Sequence, residues 1–502
     1  MVFINALVAG LLLGPGVLGA SISARTAVSK NNVNPSLGAI VGEYVPKNVR
    51  RQVAAHSTLK PIKLSQLDSF LNGRAAKRDT DSAPAGFVLT DKEKLVYGLA
   101  GDANSLVMAN VTLLSTNGKP LINMESFESS TKNVVCGETM TLEFISKEAF
   151  DSAVAEWGWV NEDETHEFIM IANHESCSPA DQRTPYLVLN ADYDEDTFTA
   201  TLDATRAEWK DIANTFDLDF GKVKLPATAI SRRAAAAHYD DTVSIDLTQT
   251  VRNPVIFSTT AGASGFDLTV SCLDCGTKGT LDVSGHIAVK GFSVEELSVE
   301  ASPDNFEARL QIGVKVNGRA PNAAFSAQLL SVGLGGIDIP GIFTLGPTLD
   351  YDVGFSATLE GTAEISYGVR ATISNDAVLK ADLINPSNTQ FTNWSPIIQQ
   401  IPFQLNAVAK ASITAFAQPT VALTFDVIGL PAFEAALKLK LPEVKADLSA
   451  LANNGGVCGN SAKTAGVQVN ASIGVDITFS VGADAATNPG TIFEKQLFVS
   501  PI

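Results

Sequence analysis

The chain has 502 residues, enough for two or three domains with cores of their own, and its 54 acidic against 36 basic side chains give a formal net charge of −18. Such an acidic chain repels polyphosphate and anionic lipid, which excludes nucleic acid and charged membrane surfaces as partners.

Taken from the start, Met1 to Ala20 reads as a secretory signal. Its apolar run from Ala6 to Leu18 is too short to span a bilayer, and Val17, Leu18 and Gly19 suit a signal-peptidase site, although the first residues contain no Lys or Arg. No later segment is apolar for long enough to be transmembrane, and the terminal TIFEKQLFVSPI lacks the greasy end of a lipid-anchor signal. Residues 1–78 hold ten basic and two acidic side chains, so the other 424 residues carry 26 basic and 52 acidic ones. Residues 21–78 end in the dibasic Lys77-Arg78 and are expected to be a removable basic pro-segment lying on an acidic mature chain, a disordered arm being the alternative.

Residues 85–224 are expected to form an N-terminal β-rich domain with one clear helix. Leu106 to Leu114 alternates with Val107, Ala109, Val111 and Leu113 inward, which points the sequon residue Asn110 outward as a glycan acceptor. Thr139 to Ile145 reads as a strand. The spacing of Ala149, Phe150, Ala153, Val154 and Trp157 then predicts a helix over Lys147 to Trp157, capped by Ser146. Phe168 to Ala172 and Tyr186 to Asn190 read as buried strands, and Thr205 to Phe216 suits either helix or strand. Residues 225–238 have linker composition and contain a second dibasic pair, Arg232-Arg233.

Residues 239–502 read as one large all-β domain. From Leu349 to Ile373 every odd position is apolar or small and every even one polar or Gly, the period of a half-buried strand. A strand of that length suggests a break, and parity places it as a hairpin with a bulged loop at Glu360-Gly361-Thr362, Leu359 then facing Ala363. Phe306 to Val316, Phe403 to Val427 and Val467 to Val481 share the period. Asn393 lies in a polar connection and Asn470 on a wet strand face, the second and third expected glycan acceptors. The fold class is therefore mainly β: an N-terminal α+β, sandwich-like domain followed by a large antiparallel β domain, a sandwich or partly closed barrel with long amphipathic strands.

Five cysteines suit an oxidising compartment. Cys136 and Cys177 are paired by sharing a domain, and Cys272, Cys275 and Cys458 share one bridge, either Cys275 with Cys458 or Cys272 with Cys275. The CLDC spacing has no βαβ context, so it is read as structural.

Catalytic signals are thin. His166 and His174 would lie about 26 Å apart on one extended strand, too far to share a metal. The acidic run Asp192, Asp194, Glu195 and Asp196 lacks the glycine of a tight calcium loop and reads as solvated charge. Gly262-Ala263-Ser264-Gly265-Phe266 misses the last Gly of a nucleophile elbow, and paired carboxylates for glycoside hydrolysis have no sequence signature here. No cofactor, metal or catalytic residue is assigned. Trp157 reads as core, leaving Trp159 as the candidate for stacking on a sugar ring. The small apolar face of Ala407, Ala409, Ala411, Ala415 and Ala417 either packs tightly or leaves room between layers.

EWGWVN, HEFIMIANHESC, RTPYLVLNADYDEDTFTATLD and EWKDIANTFDLDFG, with SCLDCGTKGTLDVSGH and IPGIFTLGPTLDYDVGFSATLEG further on, resemble a family of secreted fungal two-domain proteins of unknown function. The resemblance implies secretion and two β-rich domains, without assigned activity. The expectation is a secreted, glycosylated, non-enzymatic protein of the fungal cell surface or wall that binds wall polysaccharide or has a structural role. The alternatives are a carrier of a hydrophobic small molecule, a lipid or sterol, and a carbohydrate-active enzyme.

Overall fold

In the computed structural model the described residues are 55–63, 86–99, 108–115, 118–221, 243–251, 255–259, 266–452, 462, 465–482 and 491–501. The signal, Lys77-Arg78, the linker with Arg232-Arg233 and Cys458 lie outside them. In chain order, β1 (Ser57–Thr58), β2 (Lys60–Ile62), β3 (Lys92–Gly98) and β4 (Met108–Leu114) belong to a large sheet. A six-stranded sheet follows, from β5 (Leu121–Asn123), β6 (Thr131–Cys136), β7 (Met140–Phe144), β8 (Phe168–Ala172), β9 (Thr184–Asp194) and β10 (Thr199–Arg206). The chain returns to the large sheet with β11 (Phe216–Phe220), β12 (Val243–Asp246), β13 (Gln249–Val251) and β14 (Val255–Thr259), which line up end to end along β15 (Phe266–Lys290). The remainder is β16 (Ser293–Gly333), β17 (Ile337–Ile339), β18 (Phe343–Thr372), β19 (Val378–Asp382), β20 (Gln390–Thr392), β21 (Ile397–Val427), β22 (Phe433–Ala452), β23 (Ala465–Gly482) and β24 (Thr491–Pro501). The protein is mainly β, as its alternating sequence requires.

The organising feature is the up-and-down run β15-β16-β18-β21-β22-β23-β24, every neighbour antiparallel. The predicted hairpin at Glu360-Gly361-Thr362 is absent. β18 runs through those residues as one strand of 30, about 100 Å at about 3.3 Å per residue. Its neighbours continue past the same point, so Glu360, Gly361 and Thr362 pair with Arg319, Gly318 and Asn317 on one side and Lys410, Ala409 and Val408 on the other. With partners on both edges, the backbone gains nothing by turning back. Leu359 faces Ala320 and Ala411 rather than Ala363. Gly361 at φ 111° and its partner Gly318 at φ 110° occupy backbone that side chains disfavour, at the point where a turn was expected.

A sheet with one apolar face has to cover it, and this one does so by rolling. On a flat sheet Phe220 and Phe343 would be far apart, because Phe220 pairs with Gly285 opposite Val299 near the start of β16, while Phe343 lies beyond the pairing of Thr348 with Gly333 at the end of β16. The Phe220 and Phe343 ring centroids are 5.1 Å apart, and Phe220 also meets Phe425 of β21 at 6.3 Å. Residues 57–62 close the roll at this end, because β1 pairs in parallel with β17 while β2 pairs antiparallel with β3. The circuit β3-β4-β11-β15-β16-β18-β17 thereby meets itself through a single extended segment.

The smaller sheet packs on this roll. Its strand β8, FIMIA, is buried on both faces: Ile169 and Ile171 enter the roll's core, while Phe168, Met170 and Ala172 enter a second core under the helix α1 (Lys147–Trp157). Ser146 caps α1 by accepting from the Ala149 N–H, and Ala149, Phe150, Ala153 and Trp157 form its buried stripe. Residues 85–224 are thus divided between two sheets, with β3, β4 and β11 laddered into the large one. After β10, Trp209–Ile212 makes a single helical turn before β11 begins at Phe216. Disulfides join Cys136 to Cys177 and Cys272 to Cys275.

Asn110 is a correction. Alternation places it on the wet face of β4, but it is only 6% exposed and Thr112 beside it only 8%. β4 lies between β3 and β11, with Val96 and Asp219 opposite Asn110, so both faces of this internal strand are covered and the side chain has no room for a glycan. Asn393 and Asn470 are exposed.

Replacing Gly361 by Val should lower stability by about 1–3 kcal/mol, the usual cost of a side chain in disfavoured backbone. Urea unfolding measures this.

Candidate ligand trough in the folded sheet

The concave face of the long strands is not filled everywhere. Between β16, β18, β21 and β22 lies a small gap with a free volume of about 20 Å³, room for about one water-sized sphere. Leu310, Ile312 and Val314 line it from β16, Ile365 and Tyr367 from β18, Ile413 and Ala415 from β21, and Val444 and Ala446 from β22. They alternate along their strands, so one face of four consecutive strands supplies the whole lining. A narrower space shares Leu310, Ile312 and Ala415 and reaches Phe325 and Phe355. There Phe257, Phe325 and Phe355 stack with centroids 4.7 and 5.5 Å apart, closing that side with aromatic surface. Among the predicted small residues, Ala415 lines the space and Ala411 and Ala417 are buried beside it; the side chains of Ala407 and Ala409 are outside the described set. Tyr367 is the one lining side chain with a polar atom, a hydroxyl whose pKa burial pushes up to about 12.

The most buried charges lie elsewhere, where the two sheets meet. Arg183 donates from Nε to Glu125 Oε1 at 2.8 Å, from Nη1 to the Val96 carbonyl at 2.8 Å and from Nη2 to the Ile62 carbonyl at 3.2 Å. Its guanidinium lies 4.7 Å from the centre of the Tyr97 ring, and the Arg183 and Glu125 side chains are 1% and 6% exposed. Asn173 donates to the same Glu125 oxygen at 2.9 Å. Glu93 sits next to this cluster; burial, reinforced by the charge of Glu125, raises its pKa to about 7 against the pull of Asn123 and Arg183. Residues 62, 96, 125 and 183 are too far apart in sequence for any spacing rule to have grouped them.

The remaining polar candidates are structural in their surroundings. Asp352, on the face of β18 opposite the trough, is raised to about 7 by burial and by Asp350, against the opposing charge of Lys438. Asp219, His286 and Ser298 fall in one row across β11, β15 and β16. His286 is shared between Asp219 at 2.7 Å and Glu296 at 3.7 Å, an ion-pair arrangement on a solvent-facing ladder, and its bond to Asp219 raises its pKa. His166 bonds the Trp159 carbonyl through Nδ1, while His174 bonds Ser176. Trp159 is half-buried against the helix core with its ring 4.9 Å from that of His166, and Trp157 is buried with its indole N–H on the Phe87 carbonyl. In the acidic run Asp194 accepts the Asp196 N–H at 3.0 Å, so one carboxylate serves the turn joining β9 to β10. Among the described residues no helix is long and apolar enough to cross a membrane, and no group of His, Cys, Asp or Glu is placed to hold a metal.

A mainly β chain built on one rolled sheet with an apolar trough is the class these features define. By sequence the chain belongs to the family described as a domain of unknown function (DUF7223), whose model matches residues 245–499, just over half of its length. A second family, also described as a domain of unknown function (DUF7029), matches residues 115–217, which include the whole six-stranded sheet. No curated protein and no solved structure matches the chain.

Glu93 generates a pH dependence. Its folded pKa of about 7 lies above the ordinary 4.5, so the folded state holds this proton more tightly than the unfolded one. Its contribution is therefore favourable at low pH and is lost as pH rises from about 4.5 to about 7. Glu93→Gln should raise the melting temperature at pH 8 more than at pH 5; an equal shift at both would show that Glu93 is not held in this way.

Proposed function

We propose that the protein is a secreted, glycosylated binding protein of the cell exterior without a catalytic role, and that its ligand is apolar, a lipid chain or sterol-like molecule held in the trough. The observation that supports this reading is the chemistry of the lining: side chains of nine residues, all apolar but for one phenol hydroxyl, around a gap of about 20 Å³ that has to widen to admit such a ligand. Binding there releases water from apolar surface without burying a charge, the least costly association such a site offers. The open side gives entry. The two disulfides suit an oxidising exterior.

Native mass spectrometry of protein purified without detergent tests the reading, together with solvent extraction and binding of an apolar fluorescent probe. The expected result is a co-purifying apolar molecule or saturable probe binding. Ala415→Phe should fill the trough, weaken probe binding by tenfold or more and cost about 1–3 kcal/mol through overpacking. A clean apo mass together with probe binding indifferent to Ala415→Phe would overturn the proposal.

A further inference from the structure

Residues 55–63 are built into the large sheet. They cross from one edge of the large sheet to the other, hydrogen-bonding both. The Ser57 N–H donates to the Gly336 carbonyl and the Leu59 N–H to the Asp338 carbonyl, each at 2.8 Å. Lys60, Pro61 and Ile62 then pair with Gly98, Tyr97 and Val96. Leu59 is completely buried in the core that also contains Tyr97 and Ile337. The His56 ring occupies space left by two glycines: a Cβ on Gly336 would come within 2.9 Å of it and one on Gly346 within 3.3 Å. The Ile62 carbonyl takes one of Arg183's hydrogen bonds, and at the surface Lys60 meets Asp181 at 2.6 Å and Lys63 meets Glu128.

We propose that the groove between β3 and β17 is a binding slot for an extended basic peptide, and that residues 55–63 are its resident ligand, kept in place when the chain is cut between them and β3. Emptying the slot would leave two strand edges unpaired, a leucine-sized hole in the core and a buried guanidinium short of an acceptor. The exposed lysine pairs add little to this hold. A basic N-terminal segment that is proteolytically separated therefore persists as a second, noncovalent chain, and processing leaves the roll closed. The binding mode is strand addition, with main-chain bonds giving affinity and the Leu59 and His56 pockets giving selectivity.

The test places a site for a sequence-specific protease between residues 66 and 76 of the full-length protein and cuts it to completion. The N-terminal fragment should co-elute with the remainder at one to one by native mass spectrometry and leave only in the denaturant range that unfolds the whole. Leu59→Asp in the same cut protein should release it at least tenfold faster. In the uncut wild-type protein, the amides of Ser57 and Leu59 should exchange as slowly as those of β18, a readout that needs no variant to fold. A fragment that separates while the remainder keeps its circular dichroism and melting transition would overturn the proposal, as would fast exchange at Ser57 and Leu59.

Discussion

The structure depends on a geometrical constraint: strands about 100 Å long with one apolar face cannot stay flat in water. Covering that face with a separate layer along its whole length would need a second sheet of equal size. The chain instead rolls the sheet so that its own far strands provide the cover, bringing Phe220 of β11 onto Phe343 and Phe425. Twist supplies the tendency to coil, and the paired glycines Gly318 and Gly361 take positive-φ backbone within the ladder. The last opening at one end is sealed by residues 57–62, which makes a short extended segment as integral to the roll as any long strand.

This division explains which parts of the fold were legible in the sequence. Period and face were readable, because they depend on residues two or four apart: the odd positions of β18 from Leu349 to Ala371 that can be described are buried or half-buried. The α1 helix was readable for the same reason, its Ser146 cap and apolar stripe being local. What parity could not reveal was partnership. Glu360-Gly361-Thr362 has the composition of a turn and becomes strand because β16 and β21 continue beside it. Asn110 is on the polar side of its strand and is nevertheless buried, because whether a polar face meets water depends on what the rest of the chain lays over it. The segment 55–63 was grouped with a basic tail by charge, although Leu59 and the two backbone ladders tie it to the core.

The polar cluster between the sheets follows the same logic at the level of charge. A buried guanidinium is tolerable only when its donors are satisfied, and Arg183 meets that demand with one carboxylate and two main-chain carbonyls from three separate stretches. Removing any one partner leaves an uncompensated group, so the cluster specifies how the small sheet, β3 and the seam strand fit together. The trough, by contrast, was half legible: the alanines of β21 marked a thin face, but the facing Leu310, Ile312, Val444 and Ala446 converge only after the roll forms.

Packing and vacancy are separated along the same strands. Toward the seam, β18 and β21 contribute Phe343, Leu345, Phe425 and Val427 to a core closed by β11 and by the N-terminal strand. Further along, the same faces carry Ile365, Ile413 and Ala415, no small sheet or seam strand contributes to the lining, and the unfilled space begins. The residues that line the gap include neither Arg183 nor its partners Glu125, Val96 and Ile62. Long strands permit that arrangement, because one continuous ladder carries both: Ala308 and Ala371 belong to the packed core, while Leu310 and Tyr367, two and four residues along, line the gap.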